Sequence, residues 1–226
     1  MKTIAIIPAG GKGVRSGSSA PKQYLKFNDK ELIVYTLETF QKNTQIDEII
    51  LSAEPAYFSL LNELKEKYKL TKISKVIEGG KERQDSVYNA LTSLNDVNDD
   101  DLIAVHDAAR PLLPQKVLTG AIDTAKEKGN ALVCIKAKDT LIKADMFVRS
   151  YLNRDEVYYV QTPQIFPYSV LMKAMKNAYA NDFTGTDESV LVRRIGEKIN
   201  IAEGSVFNFK ITAAEDIEMF EKLIST

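Results

Sequence analysis

"IAIIPAGGKGVRSGSSAPKQYL", residues 4–25, decides how the rest of the chain is read. Its apolar, β-branched start, taken from Thr3 to Pro8, has the length and composition of a short strand buried on both faces. The cluster Gly10, Gly11, Gly13 then makes a turn at that strand's C-terminal end. Glycines in such a turn point to phosphate, because without a Cβ the backbone N–H groups can close on phosphate oxygens. Two well-known loops fail on spacing. The P-loop needs G-x-x-x-x-G-K-[ST], and that register does not occur here. The dinucleotide fingerprint G-x-G-x-x-G is nearly met by Gly11, Gly13 and Gly17, but the last gap is one residue too long. The acid that should follow about 20 residues later is also displaced, since Glu54 lies 41 positions beyond Gly13. What remains is a glycine loop with Arg15 and, seven positions on, Lys22. Two such cations can neutralise a triphosphate and the extra charge of a pentacoordinate phosphorus. The competing reading is a solvated turn with a surface lysine and arginine, and the other strand ends decide between the two.

Working outward, residues 47–52, 73–79, 101–107 and 131–136 repeat the look of the first strand. Helical periodicity fills the gaps, over 30–42, 56–69, 83–94 and 114–129, the last with proline in its first turn and Gly129 at its close. Strands alternating with helices at this spacing predict a single-domain α/β protein of 226 residues with a mostly parallel, Rossmann-like sheet flanked by helices. The site should then lie at the C-terminal strand ends. The alternation breaks after Lys136: residues 137–160 alternate in short pieces around polar turns and predict a hairpin, a β-arm projecting from the sheet. Helical patterns return at 167–180, 187–196 and 213–224.

Composition narrows the function classes. Thirty basic residues against 31 acidic ones leave a net charge of -1, so no global basic field argues for nucleic acid. The one cysteine, Cys134 in "ALVCIK", provides neither a disulfide framework nor a cysteine-based zinc site and reads as core. The short apolar start and the lack of long apolar runs predict no signal peptide and no membrane span, hence a soluble, cytoplasmic protein.

Three strand ends carry the punctuation of one composite pocket. "HDAARP" (106–111) places Asp107 where it can reach a ligand or a magnesium ion, though an acid after a strand also caps helices. "EGGKERQDSV" (78–87) puts Gly79 and Gly80 where backbone groups can approach a flat base. His106, the only histidine, is expected to pack or bond locally rather than to catalyse. Asp187 and Glu188 open a predicted helix, where acids complement the helix dipole. Glu188 is read as structural and Asp187 is left open.

"PAGGKGVRSGSSAPKQYL", "GGKERQDSV", "HDAARP", "KDT", "TPQIF", "TDES" and "FKITAAEDI" together resemble the 2-C-methyl-D-erythritol 4-phosphate cytidylyltransferases of the non-mevalonate isoprenoid pathway, in the same order and over nearly the whole chain. The resemblance implies a Rossmann-like sheet with a β-arm through which two subunits embrace, and transfer of CMP from CTP to a polyol phosphate, with magnesium. By position it implies that Arg15 and Lys22 stabilise the pentacoordinate phosphorus and that Lys210 reaches the α-phosphate. Ala9, Gly10 and Gly11 would receive CTP, and Gly80, Lys81 and Ser86 would contact the cytosine. Asp107 would lie near ribose and magnesium, with Ala108 at the ribose and Arg110 in support. Thr140, Arg154 and Thr162 would hold the acceptor, Arg154 acting across the dimer interface. Gly10, Ser16, Lys81 and Ser189 depart from residues common in the family, and none removes a charge that the chemistry needs. A ribitol-5-phosphate or related polyol-phosphate cytidylyltransferase is the alternative; "HDAARP" in place of the valine-bearing "HDAVRP" of that group, together with "TDES", favours the first.

Overall fold

A computed structural model describes residues 1–11 and 21–225 of the chain. In order come β1 (Thr3–Pro8), the short pair β2 (Lys26–Phe27) and β3 (Lys30–Glu31), α1 (Leu32–Lys42), β4 (Glu48–Ala53), α2 (Phe58–Lys67), β5 (Ile73–Glu78), α3 (Arg83–Thr92), β6 (Leu102–Val105) and α4 (Gln115–Lys128). Then follow β7 (Ala131–Lys136), β8 (Ile142–Ala144), β9 (Val148–Tyr151), β10 (Tyr158–Pro167), α5 (Tyr168–Ala180), α6 (Glu188–Arg194), β11 (Ile201–Glu203) and α7 (Ala214–Ile224). Seven strands make one sheet in the order β11-β7-β10-β6-β1-β4-β5.

Side chains alternate across a strand, so each central strand feeds both faces of the sheet. Ala5, Ile7, Ile49 and Leu51 point to the face packed by Ile33, Leu37 and Phe40 of α1, Leu61 and Leu64 of α2 and Leu118 and Ile122 of α4. Ile4, Ile6, Ile50, Ile103 and Val105 point to the other, under Val87 and Leu91 of α3, Leu171 and Met175 of α5 and Leu191 of α6. This double burial is why the strands read as continuous apolar runs. Each large side chain so buried contributes about 1.5–3 kcal/mol. A third cluster fastens the C-terminus: fully buried Phe220 of α7 sits edge-on to Phe27 and Tyr35, both at 5.2 Å. Ile211 is buried in the same cluster and its N–H donates to the Ala109 carbonyl at 2.9 Å, which carries the segment around Lys210 back to the end of β6.

The parallel core β6-β1-β4-β5 is as the alternation predicts. The main difference lies in β10. The predicted arm runs to residue 160, but Tyr158 already opens a ten-residue strand that lies antiparallel between β6 and β7. Its sequence, "YYVQTPQIFP", conceals it through two prolines and two glutamines. Pro163 falls in the register shift between Val160 and Gln164, where the ladder requires no N–H, and Pro167 ends the strand. The three-residue β11, parallel to β7 at the sheet edge, was too short to signal itself. Residues 30 and 31, read as the start of a helix, pair instead with β2. The arm consists of the β8–β9 hairpin followed by a single 3-10 turn, Arg154–Glu156.

Candidate active site

A cleft of about 800 Å³ opens where β1, β4, β5 and β6 end, at the C-terminal edge of the parallel strands. Ala9, Gly10 and Gly11 form one wall, Gly80, Lys81 and Ser86 a second, and Asp107 and Ala108 the floor. Lys22 and Lys210 also face it. Ten of the residues singled out in the sequence are thus brought together from five separate segments. Arg15 lies outside the described residues.

The first wall is pinned by its backbone. The Ala9 N–H donates to the Ser52 carbonyl at 2.7 Å, and the Ala9 carbonyl accepts from Gln23 Nε2 at 2.7 Å and from the Tyr24 hydroxyl at 3.1 Å. Gln23 also donates to the Gly11 carbonyl at 2.9 Å. Because Gln23 and Tyr24 share the 3-10 turn Lys22–Tyr24 that follows Pro21, these bonds also place Lys22 beside the glycine loop. A Cβ on Gly10 would meet Ser86 Oγ at 3.8 Å, an ordinary contact, so the alanine common at this position would fit.

The second wall is tighter. The Gly80 N–H donates to Ser86 Oγ at 3.0 Å, and that hydroxyl donates to the Glu82 carbonyl at 3.1 Å. Ser86 therefore spends its hydroxyl on holding the loop. A Cβ on Gly80 would come within 2.1 Å of Asp85 Cβ, so glycine is required there for the loop to lie against the first turn of α3. The Glu82–Asp85 capping box starts that helix at this point.

Asp107 is the electrostatic centre of the floor. Its Oδ1 accepts from Arg83 Nε at 3.1 Å; its Oδ2 is 3.3 Å from Arg110 Nε and 3.1 Å from Lys210 Nζ. Burial alone would raise its pKa, but Arg83, Lys210 and Arg110 outweigh burial and hold the carboxyl well below the usual range. Arg110 does not line the cleft; its Nη1 donates to the Asn208 carbonyl at 2.6 Å, and it braces Asp107 from behind. Thr162 is buried beneath: its hydroxyl oxygen accepts the Asp107 N–H at 3.2 Å and lies 2.9 Å from His106 Nδ1. The other ring nitrogen, His106 Nε2, is 3.3 Å from the Arg110 carbonyl, which can only accept. His106 is thus a neutral ring with its proton on Nε2, and Thr162 donates to Nδ1. Complete burial pushes the pKa of His106 down to about 4, so it packs and bonds locally, as expected. Thr140 and Arg154 lie on the exposed arm, away from the cleft, where Arg154 Nη1 donates to the Lys138 carbonyl at 3.3 Å.

Two members of the site escaped sequence reading. Arg83, in the first turn of α3, bridges two carboxylates: Nε to Asp107 and Nη1 to Glu188 Oε1 at 2.7 Å. Glu188, read as a helix-end acid, is 1% exposed and faces inward. Its neighbour Asp187 does the capping, accepting from the Val190 N–H at 3.0 Å and from the Ser189 hydroxyl at 2.8 Å. The only sequence signal was that both residues sit inside quoted motifs, "GGKERQDSV" and "TDES".

Together these features suit the chemistry of a polyphosphate: glycine walls that admit backbone contact, lysines at the mouth and an ionised carboxylate on the floor. The chain as a whole is similar to known proteins. The family model of 2-C-methyl-D-erythritol 4-phosphate cytidylyltransferase matches residues 3–226. The chain is 38% identical to the 2-C-methyl-D-erythritol 4-phosphate cytidylyltransferase of Syntrophus aciditrophicus over 226 residues, covering 99% of this chain and 96% of that protein. Among solved structures it resembles the Francisella tularensis 2-C-methyl-D-erythritol 4-phosphate cytidylyltransferase, with TM-score 0.83, 30% identity and coverage of 98% and 99%. It also resembles the 4-diphosphocytidyl-2C-methyl-D-erythritol synthase of Anaerococcus prevotii, with TM-score 0.85, 27% identity and coverage of 100% and 99%. With the match running the length of the chain, this protein belongs to the 2-C-methyl-D-erythritol 4-phosphate cytidylyltransferase family.

Proposed function

We propose that this chain transfers CMP from CTP to 2-C-methyl-D-erythritol 4-phosphate, giving 4-diphosphocytidyl-2-C-methyl-D-erythritol and pyrophosphate for isoprenoid precursors. The observation that carries the reading is the placement of Lys22 and Lys210 around a glycine-walled cleft over ionised Asp107, in a chain of this family. An oxygen of the acceptor phosphate attacks the α-phosphorus, a new P–O bond forms, and the bond to the β-phosphate breaks as pyrophosphate leaves. No proton has to be removed, because a phosphate monoester is already an anionic nucleophile. The protein's contribution is alignment and charge stabilisation. Lys22, with Arg15, offsets the charge that grows on the α-phosphoryl oxygens. Gly80 and Lys81 present backbone groups to the cytosine, and Ala108 borders the ribose.

Magnesium fits the site in one manner. Among the described residues no group of three His, Cys, Asp or Glu side chains gathers into a cage. A single carboxylate sharing the ion with substrate phosphates is, however, a common way to hold magnesium. Asp107 has about four lone-pair positions, and Arg83, Arg110 and Lys210 take three of them. Lys210, 39% exposed along its side chain, is the partner best placed to turn toward phosphate. When bound, the ion would neutralise charge on the phosphates and the departing pyrophosphate.

The acceptor residues Thr140 and Arg154 stand on the arm, so they reach a cleft only if two copies exchange arms. The arm's exposed Met146, Phe147, Val148 and Tyr151 form the apolar surface such a homodimer would bury. A lone buried thiol fits a reducing, cytoplasmic setting, and no helix among the described residues is long and apolar enough to cross a membrane. Pyrophosphate release is to be measured with CTP, magnesium and either 2-C-methyl-D-erythritol 4-phosphate or ribitol 5-phosphate. Turnover with the first is expected; turnover with ribitol 5-phosphate alone would overturn the assignment.

A further inference from the structure

Glu188 is a puzzle of energetics. Its carboxylate is buried at the start of α6, far from solvent, with Oε1 bound to Arg83 Nη1 at 2.7 Å and Oε2 left without a partner. Helix capping does not require it, because Asp187 supplies the cap. Stability does not single it out either: a buried ion pair is often no better than two well-packed apolar side chains in place of both partners. Burial raises the pKa of Glu188, and Arg83 only partly offsets that rise. What the acid does achieve is geometric. It grips one arm of the Arg83 guanidinium, whose Nε points at Asp107 Oδ1, 3.1 Å away, while Asp107 Oδ2 holds Lys210 Nζ at 3.1 Å. The side chains form a succession of ion pairs that begins at the buried start of α6 and ends at the cleft: Glu188, Arg83, Asp107, Lys210.

We propose that Glu188 is a positioning residue for phosphoryl transfer: through Arg83 it fixes the carboxylate plane of Asp107, and so the direction from which Lys210 meets the reacting phosphate. This rests on the cytidylyl-transfer reading above. Without Glu188 the planar guanidinium has one anchor in place of two and can pivot about Asp107. The fork geometry of arginine transmits position only when both ends are held. Arg83 Nη2, also buried without a partner, offers no substitute anchor.

The test compares the full-length wild type with Glu188→Gln and Glu188→Met, each also combined with Arg83→Gln. Glu188→Gln should lower kcat by roughly 10- to 100-fold, since a displacement near 1 Å suffices for such losses, while KM for CTP moves by less than about threefold. Glu188→Met, close in volume but leaving the Arg83 guanidinium with one carboxylate partner in place of two, should melt below the wild-type temperature, stay folded at the assay temperature and still lose turnover. Arg83→Gln with Glu188→Gln should be no slower than Arg83→Gln alone, because the two act in series. The NMR signal of Arg83 Nε–H, hydrogen-bonded to Asp107 in the wild type, should broaden or exchange faster in both Glu188 variants. A folded Glu188→Met with wild-type kcat would overturn the proposal; so would multiplying losses in the double variant, or an unchanged Arg83 signal. An inactive wild type would instead count against the transfer reaction itself. The Arg83 signal would then decide the positioning role alone.

Discussion

The cleft and the arm solve opposite problems. In the cleft, charged groups are taken out of water: Asp107 and Glu188 are buried, and Arg83, Arg110 and Lys210 surround them at 2.7–3.3 Å. In the arm, apolar groups are left in water: Met146 is 87% exposed, Phe147 76% and Tyr151 72%. Burial is tolerated in the first because every charge has an opposite charge at hydrogen-bond distance and several charges share partners. Exposure in the second is what supports the proposed partner surface, because a two-stranded hairpin is barely stable alone and apolar patches of this kind mark interfaces. The arm's own ion pairs, Lys136–Asp155 and Arg149–Asp145, are solvated and weak determinants of its shape. One region is therefore preorganised within the chain, and the other is the surface on which we propose that a second copy docks.

Substitutions should separate the two regions. The largest effect belongs to the cleft: Lys22→Ala should lower kcat by roughly 100- to 1,000-fold, as expected for losing a group aimed at developing charge, with CTP affinity falling far less. Steady-state kinetics beside calorimetric CTP titration would show it; a variant that loses binding but keeps kcat would remove Lys22 from its assigned role. Next comes the arm. If the arm joins two copies as proposed, Phe147→Asp should give monomers where the wild type sediments as a dimer in analytical ultracentrifugation, and reduce turnover by roughly 10- to 100-fold through loss of acceptor alignment, yet leave CTP binding untouched. A variant that stays dimeric, or a fully active monomer, would break the division between a self-contained cleft and a shared arm.

A third effect, on stability rather than turnover, arises beneath Asp107. His106 has a folded pKa of about 4 against an ordinary 6.5, so the unfolded chain binds more protons between those values. Its contribution is complete above pH 6.5, declines as the pH falls toward 4, and amounts to about 3 kcal/mol. Asp107 works in a lower window, since a depressed carboxyl loses its contribution only as the pH falls below the ordinary 3.8. Glu188, with a raised pKa, has the opposite sign, losing stability as the pH rises above 4.5. The comparison of wild type with His106→Gln isolates the histidine: urea unfolding from pH 4 to 7 should show a rise with pH that the variant lacks. Equal slopes in the two proteins would exclude His106 as the source.

Much of this is legible in the sequence. The strand ends 8–11, 78–82 and 106–110 each carried local punctuation, and each lines or supports the cleft. Pro21 before Lys22 was legible too, and it opens the 3-10 turn that places the lysine. Glu188 and Arg83 were not, because 105 residues separate them and an acid at a helix start has an adequate local explanation. Ser86 and Thr162 were matched to ligands, yet their hydroxyls are bound within the protein, to the Gly80 loop and to His106 and Asp107.

By itself the sequence determined the α/β alternation, the parallel core and the glycine turns at its ends, because strand and helix periods and glycine's freedom are written locally in residue order. Only the tertiary structure decided that β10 runs antiparallel through the sheet, that Glu188 turns inward while Asp187 caps, and that three cations converge on Asp107. Those outcomes depend on which distant groups meet in a low-dielectric interior, where each buried charge must find its opposite; residue order does not specify that pairing until the chain is packed.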